Sequence, residues 1–192
     1  KNIIFIPVWA SNTLYNKKYK PFYNHKKLIT ATAAARWYKC NGSWPYNYLD
    51  LILETLLKTG GTHIHYGSIP DEYIDRIKKF LISNNLPDTS FINIPWADHL
   101  GLSLLENNVD IFIEPFPVVS AKISLIAQSA GIPILRYAGM TRLSMADFVY
   151  KEALEWSTKE EFIHILSNLT PSVLETQSSF STNDLYLMRS VV

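Results

Sequence analysis

The run Val109–Arg136, VDIFIEPFPVVSAKISLIAQSAGIPILR, constrains the fold of this chain more than any other stretch. It reads as a buried strand, a loop of small, proline and hydroxyl residues, an apolar helix, a glycine stop and a second buried strand. Strands as uniformly apolar as VDIFI and IPIL belong in a sheet covered on both faces. The loop Glu114–Lys122 then falls where the carboxyl end of a strand meets the start of a helix. Ligands of open α/β sheets bind in that crevice. The first N–H groups of the helix lack intrahelical partners, and its dipole favours an anion there. Ser120, Lys122 and Ser124 add hydroxyl and ammonium donors, so a phosphate or pyrophosphate is the natural guest. The same loop also reads as an ordinary βα turn with Ser120 as N-cap.

Strand and helix signals alternate through most of the chain. Ile3–Val8, Leu28–Ala33, Thr62–Tyr66, Phe91–Ile94, Val109–Ile113 and Ile132–Leu135 read as strands. Trp9–Lys27 is polar, aromatic and lysine-rich without a clean period, and reads as a long loop. Ser43 and Trp44-Pro45 open a helix whose apolar face is Leu49, Ile52, Leu53, Leu56 and Leu57; Gly60-Gly61 stops it. Pro70-Asp71-Glu72 opens a second, with its acids in the first turn. Ala97–Asn107 and Lys122–Ala130 read as the next two helices. Thr158-Lys159-Glu160-Glu161 has the form of a capping box before a last helix ended by Pro171. After Arg136 the strand signal fades, and the Ser/Thr-rich Thr176–Asn183 reads as a linker or loose tail. The expected fold is α/β: a doubly wound, Rossmann-like, mostly parallel sheet with helices on both faces. It divides into an α/β domain over 1–175 and a C-terminal tail over 176–192.

Composition narrows the partners. Lysine and arginine number 18 against 17 acids, a formal charge of +1 that offers nothing in bulk to a nucleic acid. Cys40 is the single cysteine, so there is no internal disulfide; a reducing, cytoplasmic setting fits. No apolar run reaches membrane-spanning length. The histidines are scattered and no metal-ligand spacing occurs. GxGxxG, Walker and G-x-S-x-G motifs are absent, which lowers the readings as a dinucleotide enzyme, an NTPase or an α/β-hydrolase. The chain opens at Lys1 without methionine, directly on an expected strand, and the expectation is a fragment of something longer.

A parallel sheet brings all its strand carboxyl ends to one edge. Ala33–Lys39, Tyr66-Gly67, Pro95–His99, Glu114–Ser124 and Tyr137–Arg142 therefore converge. Arg36, Lys39 and Lys122 facing a helix N-terminus point to a diphosphate. Trp96 offers a stacking surface for a base, and Gly67 lets a backbone come close to a ligand. Each has a plainer reading: solvated loop cations, a core tryptophan, a turn glycine. His65 inside its strand reads as a satisfied interior or edge histidine, and His99 stands at a helix start.

Taken together, these segments resemble the nucleotide-binding half of a GT-B glycosyltransferase. VDIFIEPFPVVSAKISLIAQSAGIPIL carries the strand, the proline-bearing loop and a helix ending in an Ala-Gly-x-Pro turn, here Ala130–Pro133. AAARWYKCNGSWPYNYLDLILETLLKT is similar to the phosphate-binding start of that half. Tyr38-Lys39 stands where the branch of O-linked N-acetylglucosamine transferase and the bacterial protein N-glucosyltransferases has a Tyr-Lys pair. HIHYGS resembles the next strand and its glycine turn, FINIPWADHL the base-binding loop, and EALEWSTKEEF the helices that close the domain.

The resemblance implies the donor-binding half of a glycosyltransferase, with a UDP-sugar as substrate and no cofactor or metal. It makes Lys39 the catalytic residue, stabilising the departing diphosphate. Arg36, Ser120, Lys122 and Ser124 would bind the donor phosphates, Gly67, Trp96, Ala97 and His99 the nucleoside, and Pro117, Val118 and Val119 the donor sugar. Val118 and Ile126 stand where retaining members often carry two glutamates, and Ile126 where the branch has its ribose-holding aspartate. The acceptor would be held by a missing N-terminal domain, so the isolated chain should bind donor and transfer no sugar. A non-catalytic α/β ligand-binding module and a related UDP-sugar epimerase-like enzyme are the alternatives.

Overall fold

A computed structural model describes residues 15–22, 27–40, 46–118, 120–140 and 149–190. The expected strand Ile3–Val8, the helix start at Ser43–Pro45 and Val119 lie outside the described residues. Six parallel strands form one sheet, β1 (Ile29–Ala33), β2 (Thr62–Tyr66), β3 (Phe91–Ile94), β4 (Ile111–Ile113), β5 (Ile134–Tyr137) and β6 (Leu154–Trp156). Their order is β3-β2-β1-β4-β5-β6. The sheet grows outward from β1 through β2 to β3, then returns to add β4, β5 and β6 on the other side.

Alternating side chains divide the strands between two cores. Ile111 and Ile113 point to one face of β4 and Phe112 to the other, because successive side chains of a strand leave opposite sides. The first face is covered by α1 (Tyr48–Thr59), α2 (Asp71–Ser83) and α5 (Lys159–Ser167), through Leu49, Ile52, Leu56, Ile77, Leu81, Phe162 and Leu166. The second face is covered by α3 (Leu100–Glu106) and α4 (Ala121–Ser129), through Leu104, Leu105 and Ala127. Local signals place the helix ends. Asn47 caps α1 by accepting from Asp50 N at 3.1 Å, and Gly60 at φ 59° ends it. Thr158 and Glu161 close the expected capping box on α5.

The described residues 15–22 of the N-terminal segment form no helix or strand, and Asp110 ties them to the amino edge of the sheet. Asp110, fully buried, accepts from Phe22 N at 2.5 Å and from Ile29 N at 2.7 Å, while Tyr19 donates to its carbonyl at 2.7 Å.

Two expectations are corrected. Glu152–Phe162 is not helical throughout: Leu154–Trp156 is the edge strand β6, paired with β5 from Leu135↔Leu154 to Tyr137↔Trp156. A three-residue strand has too short an alternation to stand out in the sequence. The Ser/Thr-rich tail is not loose either. Thr176–Asn183 lies within α6 (Pro171–Ser190), so the helix crosses the expected boundary at 175/176. Its hydroxyls fasten it to α4 and the turn after it: Ser178 donates to Gly131 O at 2.6 Å and Ser181 to Gln128 O at 3.2 Å. Gln177 accepts from the Tyr150 hydroxyl at 2.8 Å, and Leu174 is fully buried. Low helix propensity is overridden here by tertiary packing.

The first face also holds a buried polar row. Thr30 on β1 and His63 and His65 on β2 lie beneath Tyr48 of α1, all at most 3% exposed. Thr30 Oγ1 is 2.8 Å from His63 Nδ1. The Tyr48 hydroxyl is 2.7 Å from His63 Nε2 and 2.9 Å from His65 Nδ1. One phenolic proton serves two imidazoles, so Tyr48 donates to one ring and accepts from the other. Both histidines therefore carry the same tautomer when neutral. Burial lowers His65 to about 4, and burial together with the neighbouring His65 holds His63 well below its usual 6.5.

Two outcomes follow for stability. Gly67 has φ +135°, and a Cβ there would sit 1.9 Å from Ala34 O. Gly67→Ala should cost about 2–4 kcal/mol in urea unfolding, and a loss under about 0.5 kcal/mol contradicts this packing. An unfolded imidazole binds a proton below about 6.5 that a buried one refuses. The unfolding free energy should thus be level above pH 6.5 and fall as the pH drops from 6.5 towards 4, by up to about 1.4 kcal/mol per pH unit per histidine. Glu114, raised by burial, works in the opposite sense as it protonates. Urea midpoints at pH 7.5 and 5.0 measure the balance, and a midpoint no lower at pH 5.0 contradicts a neutral buried row.

Candidate functional site

The strand order reverses between β1 and β4, which are direct neighbours in the sheet. The segments leaving their carboxyl ends diverge to opposite faces, and the crevice of a doubly wound sheet opens there. From β1 the chain runs through Ala34–Arg36 into a single 3-10 turn, Trp37–Lys39. From β4 it runs through Glu114–Ser120 into α4. The two segments touch across the switch. Val118 N donates to Lys39 O at 3.4 Å, and Lys39 Nζ donates to Ser120 Oγ at 3.2 Å. The lysine ammonium is thereby held beside the first turn of α4, where unsatisfied N–H groups and the helix dipole also favour an anion.

Each expected residue has a definite place. Ser120 is the N-cap position of α4, yet its hydroxyl makes no cap hydrogen bond and faces Lys39 instead. Lys122 is exposed in the first turn of α4, and Arg36 is exposed just before the 3-10 turn. Ser124 is fully buried and donates to Glu114 Oε1 at 2.7 Å. Its hydroxyl proton serves that carboxylate rather than the open edge. Burial raises the Glu114 carboxyl above its ordinary range, while the Ser124 hydrogen bond and the charge of Arg136 pull it back. Arg136 in turn pairs with Glu155 of β6 through Nε at 2.7 Å. The backbone that comes close to Gly67 is the Ala34 carbonyl, so this glycine joins the ends of β1 and β2.

After β3, Trp96 is 73% exposed and donates from Nε1 to Asp98 Oδ1 at 2.9 Å, which sets the direction of its ring. Ala97 is half-buried beside it. His99 is exposed at the N-cap of α3 without a side-chain cap bond. In the loop from β4, Pro117 is half-buried and Val118 is 41% exposed. No cluster of three or more histidine, cysteine, aspartate or glutamate side chains suited to a metal occurs among the described residues. No helix there is long and apolar enough to cross a membrane.

Two features at this edge escaped the sequence. Trp37 roots the turn that carries Lys39, with its ring 5.5 Å from that of His65, 6.1 Å from Tyr48 and 4.8 Å from Tyr73. On the β5–β6 side, Trp156 is fully buried among Phe116, Tyr137 and Phe162, with ring centroids 4.7–5.0 Å away. The Thr-x-Thr and His-x-His alternation of β1 and β2 was the available signal for the first; nothing local marks the second.

No protein-family model and no curated sequence matches this chain. Solved structures do. A TarM variant from S. aureus, in complex with Fondaparinux, alpha-GlcNAc-glycerol and UDP, superposes with a TM-score of 0.64 at 12% identity, over 96% of this chain and 36% of that one. A mutant O-GlcNAc transferase of Thermobaculum terrenum gives 0.61 at 18% identity, over 82% of this chain and 32% of that one. The C-terminal domain of a group 1 glycosyl transferase, LpcC from Francisella tularensis, gives 0.58 at 12% identity, over 85% of each chain. The chain thus spans about a third of the first two and most of the isolated domain. It has the α/β fold of the C-terminal domain of GT-B glycosyltransferases.

Proposed function

We propose that this chain is the donor-binding half of a glycosyltransferase and that its carboxyl edge holds the diphosphate of a nucleotide-sugar, a UDP-sugar by resemblance. The observation that carries the reading is the Lys39 Nζ–Ser120 Oγ contact at 3.2 Å across the β1/β4 switch. It places a cation, a hydroxyl and the first turn of α4 around one point at the open edge. Neighbours of the same fold include glycosyltransferases, and two of the neighbours are in complex with UDP.

Cleavage of a sugar–phosphate bond leaves negative charge on the departing diphosphate. Lys39, already docked against the β4–α4 loop, stabilises that charge with little reorganisation. Arg36 and Lys122 stand exposed within the same edge, while Ser120 exchanges Lys39 for a phosphate oxygen as partner. Ser124 acts beneath, where its bond to Glu114 fixes the start of α4. Trp96, oriented by Asp98, offers its face to the base with Ala97 and His99 beside it. Pro117 and Val118 line the way to the sugar; Val119, grouped with them by the resemblance, lies outside the described residues. The acceptor and the base that activates it belong to a further domain, and no cofactor is called for beside the donor.

A thermal-shift comparison of UDP, GDP, ADP and CMP tests this. UDP at a hundredfold over its dissociation constant should stabilise the fold by about 2.7 kcal/mol, several degrees in Tm for a domain of this size. Lys39→Ala should weaken UDP about tenfold to a hundredfold, the worth of a charged hydrogen bond, and leave uridine unchanged. Equal losses for both ligands remove Lys39 from the phosphate, and no shift with any nucleoside diphosphate removes the donor site. Sugar transfer by these residues alone would move the catalytic base into this chain.

A further inference from the structure

The turn that carries Lys39 rests on an indole that packs but does not bond. Trp37 is 8% exposed and its Nε1 has no hydrogen-bond partner. Its place is therefore set by the rings against it: His65 at 5.5 Å with planes 65° apart, Tyr48 at 6.1 Å and Tyr73 at 4.8 Å. A side chain held by packing alone moves when its neighbours move. Two of those neighbours cannot move freely, because Tyr48 bonds His63 and His65 at 2.7 and 2.9 Å, and His63 bonds Thr30 at 2.8 Å. The row begins on β1, crosses to β2, passes through α1 and ends at the ring of His65 beneath Trp37. From Trp37 the turn continues by Cys40 N to Trp37 O at 2.8 Å and Lys39 N to Arg36 O at 3.1 Å. It ends with the Lys39 ammonium on Ser120.

We propose that the Thr30–His63–Tyr48–His65 row is a positioning device for Lys39, holding Trp37 and through it the turn that presents the ammonium to a diphosphate. His65 and Tyr48 are positioning residues; they touch no ligand. The role in binding rests on the nucleotide reading above, whereas the fixing of the turn does not.

Tyr48→Phe keeps the ring and removes the hydroxyl that joins the two imidazoles. In the full chain it should weaken UDP about fivefold relative to uridine, and the effect should vanish in a Lys39→Ala background, since coupled residues are non-additive. Amide hydrogen exchange at Lys39 and Cys40 should quicken about tenfold relative to the amides of β1 and β2. A role confined to global stability lowers Tm but leaves both the UDP-to-uridine ratio and the relative exchange as in wild type, and that result overturns the proposal. If wild-type protein binds no nucleoside diphosphate, the donor reading falls, and relative exchange at Lys39 and Cys40 alone decides whether the row holds the turn. Should Tyr48→Phe not fold, His65→Phe replaces it: the ring against Trp37 stays and the bond to the Tyr48 hydroxyl goes. It should lower the UDP-to-uridine ratio and quicken relative exchange at Lys39 and Cys40 as Tyr48→Phe does, and wild-type values of both contradict the proposal.

Discussion

The reversal of strand order between β1 and β4 governs this molecule. Two crossovers run from β1 over one side of the sheet to β2 and β3; the chain then returns to lay β4 on the other flank of β1. Right-handed connections in opposite directions carry their helices to opposite faces, so the segments leaving β1 and β4 part company at the carboxyl edge. The segments proposed to bind the donor phosphates flank that parting. Lys39 comes from the β1 side, Val118 and Ser120 from the β4 side, and two hydrogen bonds close the gap between them.

The two faces of the sheet solve burial differently. On the α3/α4 side, Ala31, Ala33, Ile64 and Phe112 make an apolar core. On the α1 side, Thr30, Thr32, His63 and His65 bring polar groups into the interior, and these are costly unless partnered. Tyr48 spans both histidines, and Thr32 donates to Ile113 O at 3.1 Å, tying β1 to β4. The polar face is the one beneath Trp37 and the Lys39 turn. Hydrogen bonds are directional where apolar contacts are not, so this side of the core defines positions more sharply than the other.

A second buried polar pair works from the far side of the switch. Glu114 lies at the end of β4, and Ser124 reaches it from the first turn of α4. A carboxylate beneath the proposed phosphate site would oppose an anion if left bare. Burial disfavours that charge, while the Ser124 hydroxyl and the nearby Arg136 stabilise it.

Much of this was legible in the sequence. The apolar runs, the proline and glycine stops and the capping box located β1 to β5 and α1 to α5 to within a few residues, because those signals are local. They also named the loops that meet at one edge, since a parallel sheet allows no other arrangement. What the residues could not declare was whatever depends on a distant partner. The β6 strand exists because β5 offers it an edge and Trp156 a pocket of rings. The helix α6 exists because Gln128 and Gly131 accept its hydroxyls. Ser124 looked like a phosphate donor until Glu114 claimed its proton, and the unremarkable Tyr48 became the link between two histidines. Sequence alone determined the order and kind of the elements; tertiary structure decided which polar groups meet, because hydrogen bonds between residues far apart in the chain leave no periodic trace in it.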